Sequence, residues 1–234
     1  IGNGSNICFI TDYYDGTIVS LKRMNKVISY DDKYIYCSSN ISCTKVARYL
    51  YNNSISGFEY LYGIPGTIGG ALYMNAGAFD KEILSHVHRI KLLDHNGDLY
   101  YLKGDDLNYS YRRSNINKSS IIIGVEFYNH TKIFDKKLLR NLDNKRKSSQ
   151  PVNQLSCGCI FKNPPHKYAS KLIEGAKLKG KRFGGIYISR KHSNYFINDG
   201  SGSFTDFLDL LDYVKRKVLS VYNIKLKEEV ILIK

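Results

Sequence analysis

The stretch that decides the fold is Gly63-Ile64-Pro65-Gly66-Thr67-Ile68-Gly69-Gly70-Ala71, which leads into Asn75-Ala76-Gly77-Ala78. Glycine permits positive φ and lets the backbone approach a ligand closely, so successive N–H groups can surround an anion. A second glycine-rich segment, Ile1-Gly2-Asn3-Gly4-Ser5-Asn6, precedes a predicted strand. Ordinary turns would explain either segment alone, whereas two such segments in one domain favour an extended, phosphate-bearing cofactor.

Neither segment matches the common nucleotide-binding motifs. No Gly-Lys-Ser or Gly-Lys-Thr ends either loop, and the spacing Gly-x-Gly-x-x-Gly with a downstream acidic residue is absent. The segments themselves therefore exclude a Walker loop and a dinucleotide fingerprint, and they leave the identity of the cofactor open.

Length and composition indicate a globular protein. The chain has 234 residues, of which 43% are hydrophobic and 24% are charged. A disordered chain would carry fewer apolar residues, and the longest apolar runs, such as residues 121–123, are too short to cross a bilayer. The first residue is Ile1 rather than Met, and no leader pattern follows it. We therefore expect an N-terminally truncated chain.

Positive charge is concentrated in one part of the chain. The formal net charge is +14, from 35 Lys and Arg residues against 21 Asp and Glu residues. Residues 131–190 hold 15 of the basic residues but three acidic ones, Asp135, Asp143 and Glu174. Such a field attracts anions. Composition alone leaves open a nucleic acid, a phosphorylated small molecule or a plain solvated surface, and it favours the last.

The cysteines indicate a reducing environment and no metal site. Cys8, Cys37, Cys43, Cys157 and Cys159 are an odd number without regular spacing, and a chain of this length needs no disulfides. The pair Cys157-Gly158-Cys159 has no second Cys pair or His-x-His partner at the spacing of a zinc finger. We therefore expect a cytoplasmic protein without a bound metal.

Hydrophobic spacing and turn residues predict a mixed α+β fold with a domain boundary near residue 130. Strands are predicted at residues 7–10, 17–21, 34–37, 87–94, 98–102, 121–127, 159–161, 183–189 and 230–233, and helices at residues 42–53, 135–147, 168–174 and 204–221. Asn96-Gly97 predicts a hairpin turn, and Ser203 is the predicted N-cap of the last helix. The apolar stripe of that helix consists of Phe204, Phe207, Leu208, Leu211, Val214 and Val218.

Five motifs follow one another along nearly the whole chain. They are Gly2-Asn3-Gly4-Ser5-Asn6, the stretch from Gly63 to Ala71 with Met74-Asn75-Ala76-Gly77-Ala78, Tyr111-Arg112-Arg113-Ser114, Ser156-Cys157-Gly158-Cys159-Ile160-Phe161-Lys162-Asn163-Pro164, and Leu226-Lys227-Glu228-Glu229-Val230. In this order and context they resemble the UDP-N-acetylenolpyruvoylglucosamine reductase family. The stretch Lys171-Leu172-Ile173-Glu174, with Gly184-Gly185 and Lys191-His192, resembles the shorter, second type of this enzyme.

The resemblance implies an oxidoreductase of cell-wall precursor synthesis, a UDP-N-acetylmuramate dehydrogenase. In this family NADPH reduces FAD, and the reduced flavin passes hydride to the enolpyruvyl group of a UDP-sugar. The implied fold is α+β: a two-part FAD-binding domain of the vanillyl-alcohol-oxidase type at residues 1–130, lacking its N-terminal part, and an α+β substrate-binding domain at residues 131–234. The implied cofactor contacts are Gly2, Asn3, Gly4, Ser5, Asn6, Pro65, Gly66, Thr67, Gly69, Gly70, Asn75 and Gly77. We expect a monomer that binds a UDP-sugar and NADPH, with no nucleic acid and no membrane as partners.

The resemblance also assigns a catalytic cation and a carboxylate. Hydride addition to the enolpyruvyl group puts negative charge on its carboxylate side, so the site needs a cation there. Arg112 matches the arginine of the family, and Glu229 matches its C-terminal glutamate, which acts on the same enolic intermediate. Arg113 and Glu228 are the neighbouring alternatives. On a strand, Glu228 would face the side opposite to Glu229.

Cys159 takes the position of the proton donor of the family, which is usually a serine. A thiol has a reference pKa of about 8.5, so it is a stronger acid than an alcohol. Sulfur is, however, a weak hydrogen-bond donor. We expect Cys159 to supply the proton. The alternative is a small buried residue in a protein whose activity is altered or lost.

Phosphate binding would explain why basic residues are concentrated at residues 131–190. Asn163 corresponds to a nucleotide contact in the family, and Lys162, Lys171 and Arg182 are further candidates, each weighed against a plain surface position. His192 has no evident partner and is expected to be structural. Two other functions stay open: a catalytically silent flavoprotein of the same fold, and a basic nucleic-acid-binding protein, for which the sequence offers no motif.

Overall fold

The fold is that of a computed structural model, which describes residues 1–129 and 137–234. The strands are β1 (Ile7–Phe9), β2 (Ile28–Tyr30), β3 (Tyr34–Ser38), β4 (Gly77–Ala78), β5 (Lys81–Glu82), β6 (Val87–Leu93), β7 (Leu99–Lys103), β8 (Tyr109–Ser110), β9 (Arg113–Ser114), β10 (Ile121–Tyr128), β11 (Arg182–Phe183), β12 (Ile186–Ile188), β13 (Phe196–Asn198) and β14 (Ile231–Ile233). The helices are α1 (Cys43–Asn52), α2 (Ile68–Tyr73), α3 (Leu138–Ser149), α4 (Ala169–Gly175) and α5 (Phe204–Tyr222), with 3₁₀ helices at Glu59–Gly63, Ile83–His86 and Gly104–Asp106. Within these described ranges, no helix is long and apolar enough to cross a membrane.

The chain forms two compact units. The first consists of Ile1–Asn3 and Ile18–Lys145, and the second of Gly4–Thr17 and Arg146–Lys234. The first glycine-rich segment is therefore divided between the units after Asn3. The domain boundary predicted near residue 130 lies outside the described residues, as do the first two residues of the helix predicted at 135–147.

The first unit is built on an antiparallel sheet with the strand order β2-β3-β10-β6-β7. Val125 of β10 is buried and lies opposite Cys37 of β3 on one side and Ile90 of β6 on the other. Val46 and Leu50 of α1 belong to the same hydrophobic core. One face of the sheet packs against this core, so apolar and polar residues alternate along its strands. The strands were predicted from this alternation.

The second unit combines α5 with an antiparallel sheet of β11, β12 and β13. Helix α5 begins with a capping box, because Ser203 Oγ accepts a hydrogen bond from the main-chain nitrogen of Asp206, and the Asp206 carboxylate accepts one from Ser203. Its inner face, with Leu210, Val214 and Val218, is fully buried in the core. Strands β1 and β14 pair in parallel.

The structure confirms most of the predicted elements and corrects three strands. Residues 159–161 form isolated bridges instead of a strand, because Cys159 pairs with Tyr195 and Phe161 pairs with Glu228 on two different segments. The run at residues 17–21 forms no strand, and Ile18 and Val19 are 51% and 46% exposed, since no strand of the described residues pairs with them. The single strand predicted at 183–189 is a hairpin, because Gly184 has a φ of 46° and turns the chain between β11 and β12. In α5 the predicted N-cap is confirmed, but the buried Leu210 lies outside the predicted stripe.

Candidate active site

In the first unit, the two glycine-rich segments come into contact. A Cβ atom added to Gly2 would lie 2.5 Å from Oγ1 of Thr67, so a side chain at this position would displace the threonine. Thr67 is itself held in place as the N-cap of α2, because its Oγ1 accepts a hydrogen bond of 3.3 Å from the main-chain nitrogen of Gly70. Residues of both predicted cofactor segments therefore meet in one place.

This region fits a group, such as the implied FAD, that approaches the main chain closely. Gly66 has a φ of 114°, and a Cβ atom on Gly69 would lie 3.0 Å from Cβ of Ser39. Ser39 is 2% exposed, and its Oγ has no hydrogen-bond partner among the residues that the structure describes. Because buried hydroxyl groups are normally satisfied, this oxygen is available to a ligand.

Asn75 supports the loop that follows α2. It is fully buried, and its side-chain nitrogen donates to Oε2 of Glu82 at 2.9 Å and to the carbonyl oxygen of Ser110 at 3.0 Å. Its side-chain oxygen accepts a hydrogen bond from the main-chain nitrogen of Leu84 at 3.3 Å. These contacts fix the backbone around Asn75, and a direct contact of this residue with the cofactor stays a prediction.

The side chain of Arg112 is hydrogen-bonded to the loop that follows α2. It lies in the turn between β8 and β9 with a φ of 56°, in the left-handed region that residues other than glycine seldom adopt. Its guanidinium donates to the carbonyl oxygens of Asn75 and Gly77, at 3.4 and 3.0 Å, and lies over the ring of Tyr111. Arg113 is exposed. Of the two neighbouring arginines, Arg112 is the one held in a defined orientation.

In the second unit, Cys159 lies on an extended segment with a neighbour on each side. It forms an antiparallel bridge with Tyr195. On the other side, the main-chain nitrogen of Glu229 donates a hydrogen bond of 2.8 Å to the carbonyl oxygen of Ile160. Cys159 is half-buried and is not part of a disulfide. The fold therefore brings the predicted proton donor and the predicted glutamate onto adjacent segments.

The phenol of Tyr195 joins Cys159 to two charged residues. Tyr195 lies opposite Cys159 in the antiparallel bridge, which puts the two side chains on the same face, and Cys159, Arg146 and Glu229 act on the phenol electrostatically. Burial raises the pKa of Tyr195, and the neighbouring Cys159 and Glu229 raise it further, whereas Arg146 acts in the opposite direction. Tyr195 is therefore protonated at neutral pH, and a thiol, a carboxylate and a guanidinium surround one neutral phenol.

The two adjacent glutamates have different partners. Oε1 of Glu228 lies 2.7 Å from Nζ of Lys215 on α5, whereas Glu229 acts on Tyr195. The main chain of Glu229 is held by the residue that precedes β1, because Nδ2 of Asn6 donates a hydrogen bond of 3.1 Å to its carbonyl oxygen. Glu228 is thus paired with α5, and of the two glutamates it is Glu229 whose charge acts on the phenol opposite Cys159.

Two of the predicted phosphate contacts have counter-charges within the protein. Arg182 forms an ion pair with Asp199, and this hydrogen bond, with others from Ser201, lowers the pKa of Asp199 to about 2. Lys171, with a side chain that is 77% exposed, lies 3.7 Å from Glu174. Exposed pairs of this kind are weak, so a phosphate could take the place of Asp199 beside Arg182 or of Glu174 beside Lys171.

Asn163 and Lys162 continue the segment that carries Cys159. The side-chain oxygen of Asn163 accepts a hydrogen bond of 3.0 Å from the main-chain nitrogen of Ala169, at the start of α4. Lys162 is half-buried, and its main-chain nitrogen donates to the carbonyl oxygen of Lys227 at 2.9 Å. The roles of both residues in phosphate binding stay predictions.

A cavity of about 660 Å³ opens in the second unit. It is lined by Lys147, Pro151, Val152, Asn153, Gln154, Tyr187, Ser189, Arg190 and Lys191. Three of these nine side chains are basic, so the cavity is a favourable environment for an anion.

The sequence motifs did not mark Tyr195 or Arg146. Tyr195 is far from Cys159 along the chain and meets it in an antiparallel bridge, whereas Arg146 lies on α3 and acts on Tyr195 electrostatically. One signal was present: Tyr195 directly precedes Phe196 and Ile197, which are buried. A tyrosine in such a run needs a partner for its hydroxyl, and that requirement indicates a polar neighbour in the core.

Comparison with known families defines the class of protein. The FAD binding domain family matches residues 1–103, which include both glycine-rich segments. The C-terminal domain of UDP-N-acetylenolpyruvoylglucosamine reductase matches residues 150–233, which include Cys159, Tyr195 and Glu229. The chain is a flavin-binding oxidoreductase, and the predicted fold class, an FAD-binding domain followed by a second α+β domain, is confirmed.

Individual relatives identify the family. The chain is 33% identical over 234 residues to UDP-N-acetylenolpyruvoylglucosamine reductase of Fusobacterium nucleatum, covering 100% of this chain and 83% of the relative. It is 36% identical over 235 residues to the enzyme of the same name from Caldanaerobacter subterraneus, covering 98% of this chain and 77% of the relative. The crystal structure of the Thermus caldophilus enzyme matches with a TM-score of 0.79 at 28% identity, covering 100% of this chain and 84% of that one. The chain belongs to the UDP-N-acetylenolpyruvoylglucosamine reductase family, as its motifs predicted.

Proposed function

We propose that the protein reduces UDP-N-acetylglucosamine enolpyruvate to UDP-N-acetylmuramate in peptidoglycan precursor synthesis, with NADPH as electron donor and Cys159 as proton donor. The observation that carries the proposal is the main-chain pairing that puts Cys159 opposite Tyr195 on one side and next to the segment of Glu229 on the other. A proton donor beside a carboxylate, on a half-buried segment, is what the protonation of an enolic intermediate requires.

The reaction adds one hydride and one proton across a carbon–carbon double bond. When bound, FAD would supply the hydride-transfer chemistry that links NADPH to one carbon of the enolpyruvyl group. The electron pair of the double bond moves toward the substrate carboxylate, and Cys159 then gives its proton to the adjacent carbon and becomes a thiolate. A proton from solvent restores the thiol, so each cycle consumes one NADPH and one proton.

Arg112 supplies the positive charge for the enolate in this proposal. Its guanidinium is oriented before substrate binds by the carbonyl oxygens of Asn75 and Gly77. A preorganised cation costs little reorganisation during the reaction and stabilises developing negative charge. The left-handed backbone of Arg112 supports such a role, because residues in strained conformations cluster at functional sites.

Glu229 completes the proposed set of catalytic residues. We expect its carboxylate to hydrogen-bond to the enolic form of the substrate. Its direction is supported by the Asn6 bond to its main chain and by its effect on Tyr195. Glu228 is paired with Lys215 and is not part of the proposed set.

The second unit is proposed to bind the pyrophosphate-bearing substrate. The concentration of basic residues at 131–190 and the cavity with Lys147, Arg190 and Lys191 support an anionic ligand there. The specific contacts we propose are Asn163, Lys162, Lys171 and Arg182.

Because UDP-sugars and NADPH are cytoplasmic metabolites, we assign the reaction to the cytoplasm. We expect the protein to be a monomer, which gel filtration can test.

Anaerobic spectroscopy tests the proposal. The FAD-loaded protein should absorb near 450 nm, lose this absorbance when NADPH is added, and regain it when the enolpyruvyl substrate follows. Mass spectrometry should identify UDP-N-acetylmuramate as the product. Bleaching by NADPH without recovery on addition of substrate would indicate the catalytically silent flavoprotein. A colourless protein that retards an oligonucleotide in a salt-dependent manner would support nucleic-acid binding instead.

A further inference from the structure

We propose that Tyr195 is a positioning residue for Cys159: its hydroxyl holds the thiol in place and stabilises the thiolate that remains after the proton has left. This inference rests on the proposed function, in which Cys159 is the proton donor. No motif of the sequence marks Tyr195, and its role follows from the pairing of two distant segments.

The main chain fixes the tyrosine opposite the cysteine. Tyr195 and Cys159 face each other in the antiparallel bridge. The main-chain nitrogen of Tyr195 donates to the carbonyl oxygen of His192 at 3.0 Å, and its carbonyl oxygen accepts from the nitrogen of Ser189 at 2.9 Å. The nitrogen of Ile160, next to Cys159, donates to the carbonyl oxygen of Asn194 at 2.9 Å. These main-chain hydrogen bonds hold Tyr195 and Cys159 opposite each other.

The aromatic ring is held as well. The ring of His192 meets the Tyr195 ring edge to face, with 4.9 Å between the centroids. His192 is in turn oriented because its Nδ1 accepts the main-chain N–H of Asn194 at 3.3 Å, and burial lowers the pKa of His192, so its ring is neutral at pH 7. A ring packed in this way directs its hydroxyl to a constant position, as a positioning role requires.

The charges around the phenol keep it protonated throughout the cycle. Within residues 1–129 and 137–234, the titratable groups that act on or contact the Tyr195 side chain are Cys159, Arg146, Glu229 and His192. Burial, together with the negative charge of a thiolate and of Glu229, opposes ionisation of the phenol, and Arg146 offsets this in part. When Cys159 loses its proton, Tyr195 keeps its own and donates a hydrogen bond to the sulfur. A bond to an ionised acceptor is stronger than a neutral one.

This bond offsets a weakness of cysteine as the proton donor. Sulfur forms weak hydrogen bonds in its neutral form, so a thiol is poorly oriented by neutral partners. A neutral phenol favours the thiolate over the thiol and thereby strengthens the acid. The proton itself passes from Cys159 to the substrate carbon, and Tyr195 neither gains nor loses one.

The pH dependence of Cys159 alkylation tests the role without relying on turnover. Iodoacetamide modifies thiolates, and tandem mass spectrometry of the FAD-loaded full-length protein resolves Cys159 from Cys157 on the same peptide. In Tyr195→Phe, which removes one oxygen and keeps the ring, the alkylation midpoint of Cys159 should rise by about one pH unit, and reoxidation of the flavin by substrate should slow by about tenfold. Reduction of the flavin by NADPH should be unchanged.

Tyr213→Phe is the matched control. Tyr213 lies on α5 in the same unit and stacks with lysine side chains, so loss of its hydroxyl should leave the Cys159 midpoint in place. An unchanged Cys159 midpoint in Tyr195→Phe overturns the positioning role. Wild-type turnover in Cys159→Ala would instead overturn the proposed function, so the two failures are distinguishable.

A measurement on the wild-type protein covers the case in which Tyr195→Phe does not fold. Burial raises the pKa of Cys157 to about 12, and this neighbouring thiol serves as the internal reference. With Tyr195 supporting its thiolate, Cys159 should be alkylated at a clearly lower pH than Cys157. Modification of Cys159 at the same pH as Cys157, or at a higher one, contradicts the inference.

Discussion

The side-chain amide of Asn6 donates a hydrogen bond of 3.1 Å to the carbonyl oxygen of Glu229, although 223 residues separate the two along the chain. The main-chain nitrogen of Ile231 donates to the carbonyl oxygen of Asn6 at 2.9 Å, and β1 continues this contact as a parallel pair with β14. The end of the first glycine-rich segment thus sets the register of the C-terminal segment. That register directs Glu229 to Tyr195 and leaves Glu228 with Lys215.

Substitution of the two glutamates should separate their roles. Glu229→Gln removes a charge near Tyr195 and should slow flavin reoxidation by substrate by about 100-fold, because a positioned acid–base group contributes about 10²–10⁴-fold to such a step. Reduction by NADPH should be unaffected. Stopped-flow absorbance at 450 nm measures both half-reactions.

Glu228→Gln is the control for that experiment. It breaks a half-exposed ion pair with Lys215, which is worth less than about 1 kcal/mol. Both half-reactions should stay at wild-type rates, with at most a small decrease in melting temperature. Wild-type rates in both variants would show that neither carboxylate takes part in the reaction, and equal losses would contradict the separation of their roles.

Cys159 variants should distinguish the acid from its neighbours. Cys159→Ala should lose reoxidation by substrate and keep reduction by NADPH, whereas Cys159→Ser should retain measurable turnover, because a hydroxyl can still pass on a proton. Cys157→Ala is the matched control, since burial raises the pKa of Cys157 to about 12 and makes it a poor acid at neutral pH. Single-turnover kinetics measure the difference, and full activity of Cys159→Ala would exclude Cys159 as the proton donor.

The sequence predicted those elements whose structure depends on near neighbours. The cap of α5 is formed by Ser203, the predicted N-cap, and by Asp206 three residues further along the chain. The strand predicted at residues 17–21 was wrong for the opposite reason. A β-branched run forms a strand when another strand pairs with it, and none of the described strands does so.

The same distinction holds for the candidate site. Arg112, Cys159 and Glu229 lie within motifs that resemble a family, so their positions could be assigned from the sequence. Tyr195 reaches the site through an antiparallel bridge with a segment far from it along the chain, and Arg146 reaches it from helix α3. Contacts of this kind depend on the tertiary fold, and no local spacing encodes them.

The contribution of Arg112 to reoxidation by substrate should depend on the planar shape of its guanidinium as well as on its charge. Arg112→Lys keeps the positive charge, but an ammonium group cannot hold the carbonyl oxygens of Asn75 and Gly77 with one planar fork. Reoxidation by substrate should fall by about 100-fold, as for the loss of one preorganised donor to an oxyanion. Arg113→Lys, at the exposed neighbouring position, should leave this rate within about twofold. Similar losses in both variants would contradict the assignment.

The cap of α5 predicts a pH-dependent contribution to stability. Hydrogen bonds from the main-chain nitrogens of Ser203 and Gly185 lower the pKa of Asp206 in the folded state. Because the folded pKa is below the unfolded value of about 3.9, the carboxylate stabilises the fold above that pH and ceases to do so as the pH falls through the folded pKa. Asp206→Asn should therefore lower the free energy of unfolding at pH 7, and its difference from wild type should shrink below about pH 4.

Urea unfolding at pH 7 and at about pH 3 measures this change, with Asp209→Asn, an exposed position on the same helix, as the control. That control should differ from wild type by less than about 0.5 kcal/mol at pH 7. Ser203→Ala removes the other half of the capping box and should cost about 1 kcal/mol, because the main-chain nitrogen of Asp206 then loses its acceptor. A deficit of Asp206→Asn that is the same at both pH values would mean that the carboxylate acts through its shape rather than its charge.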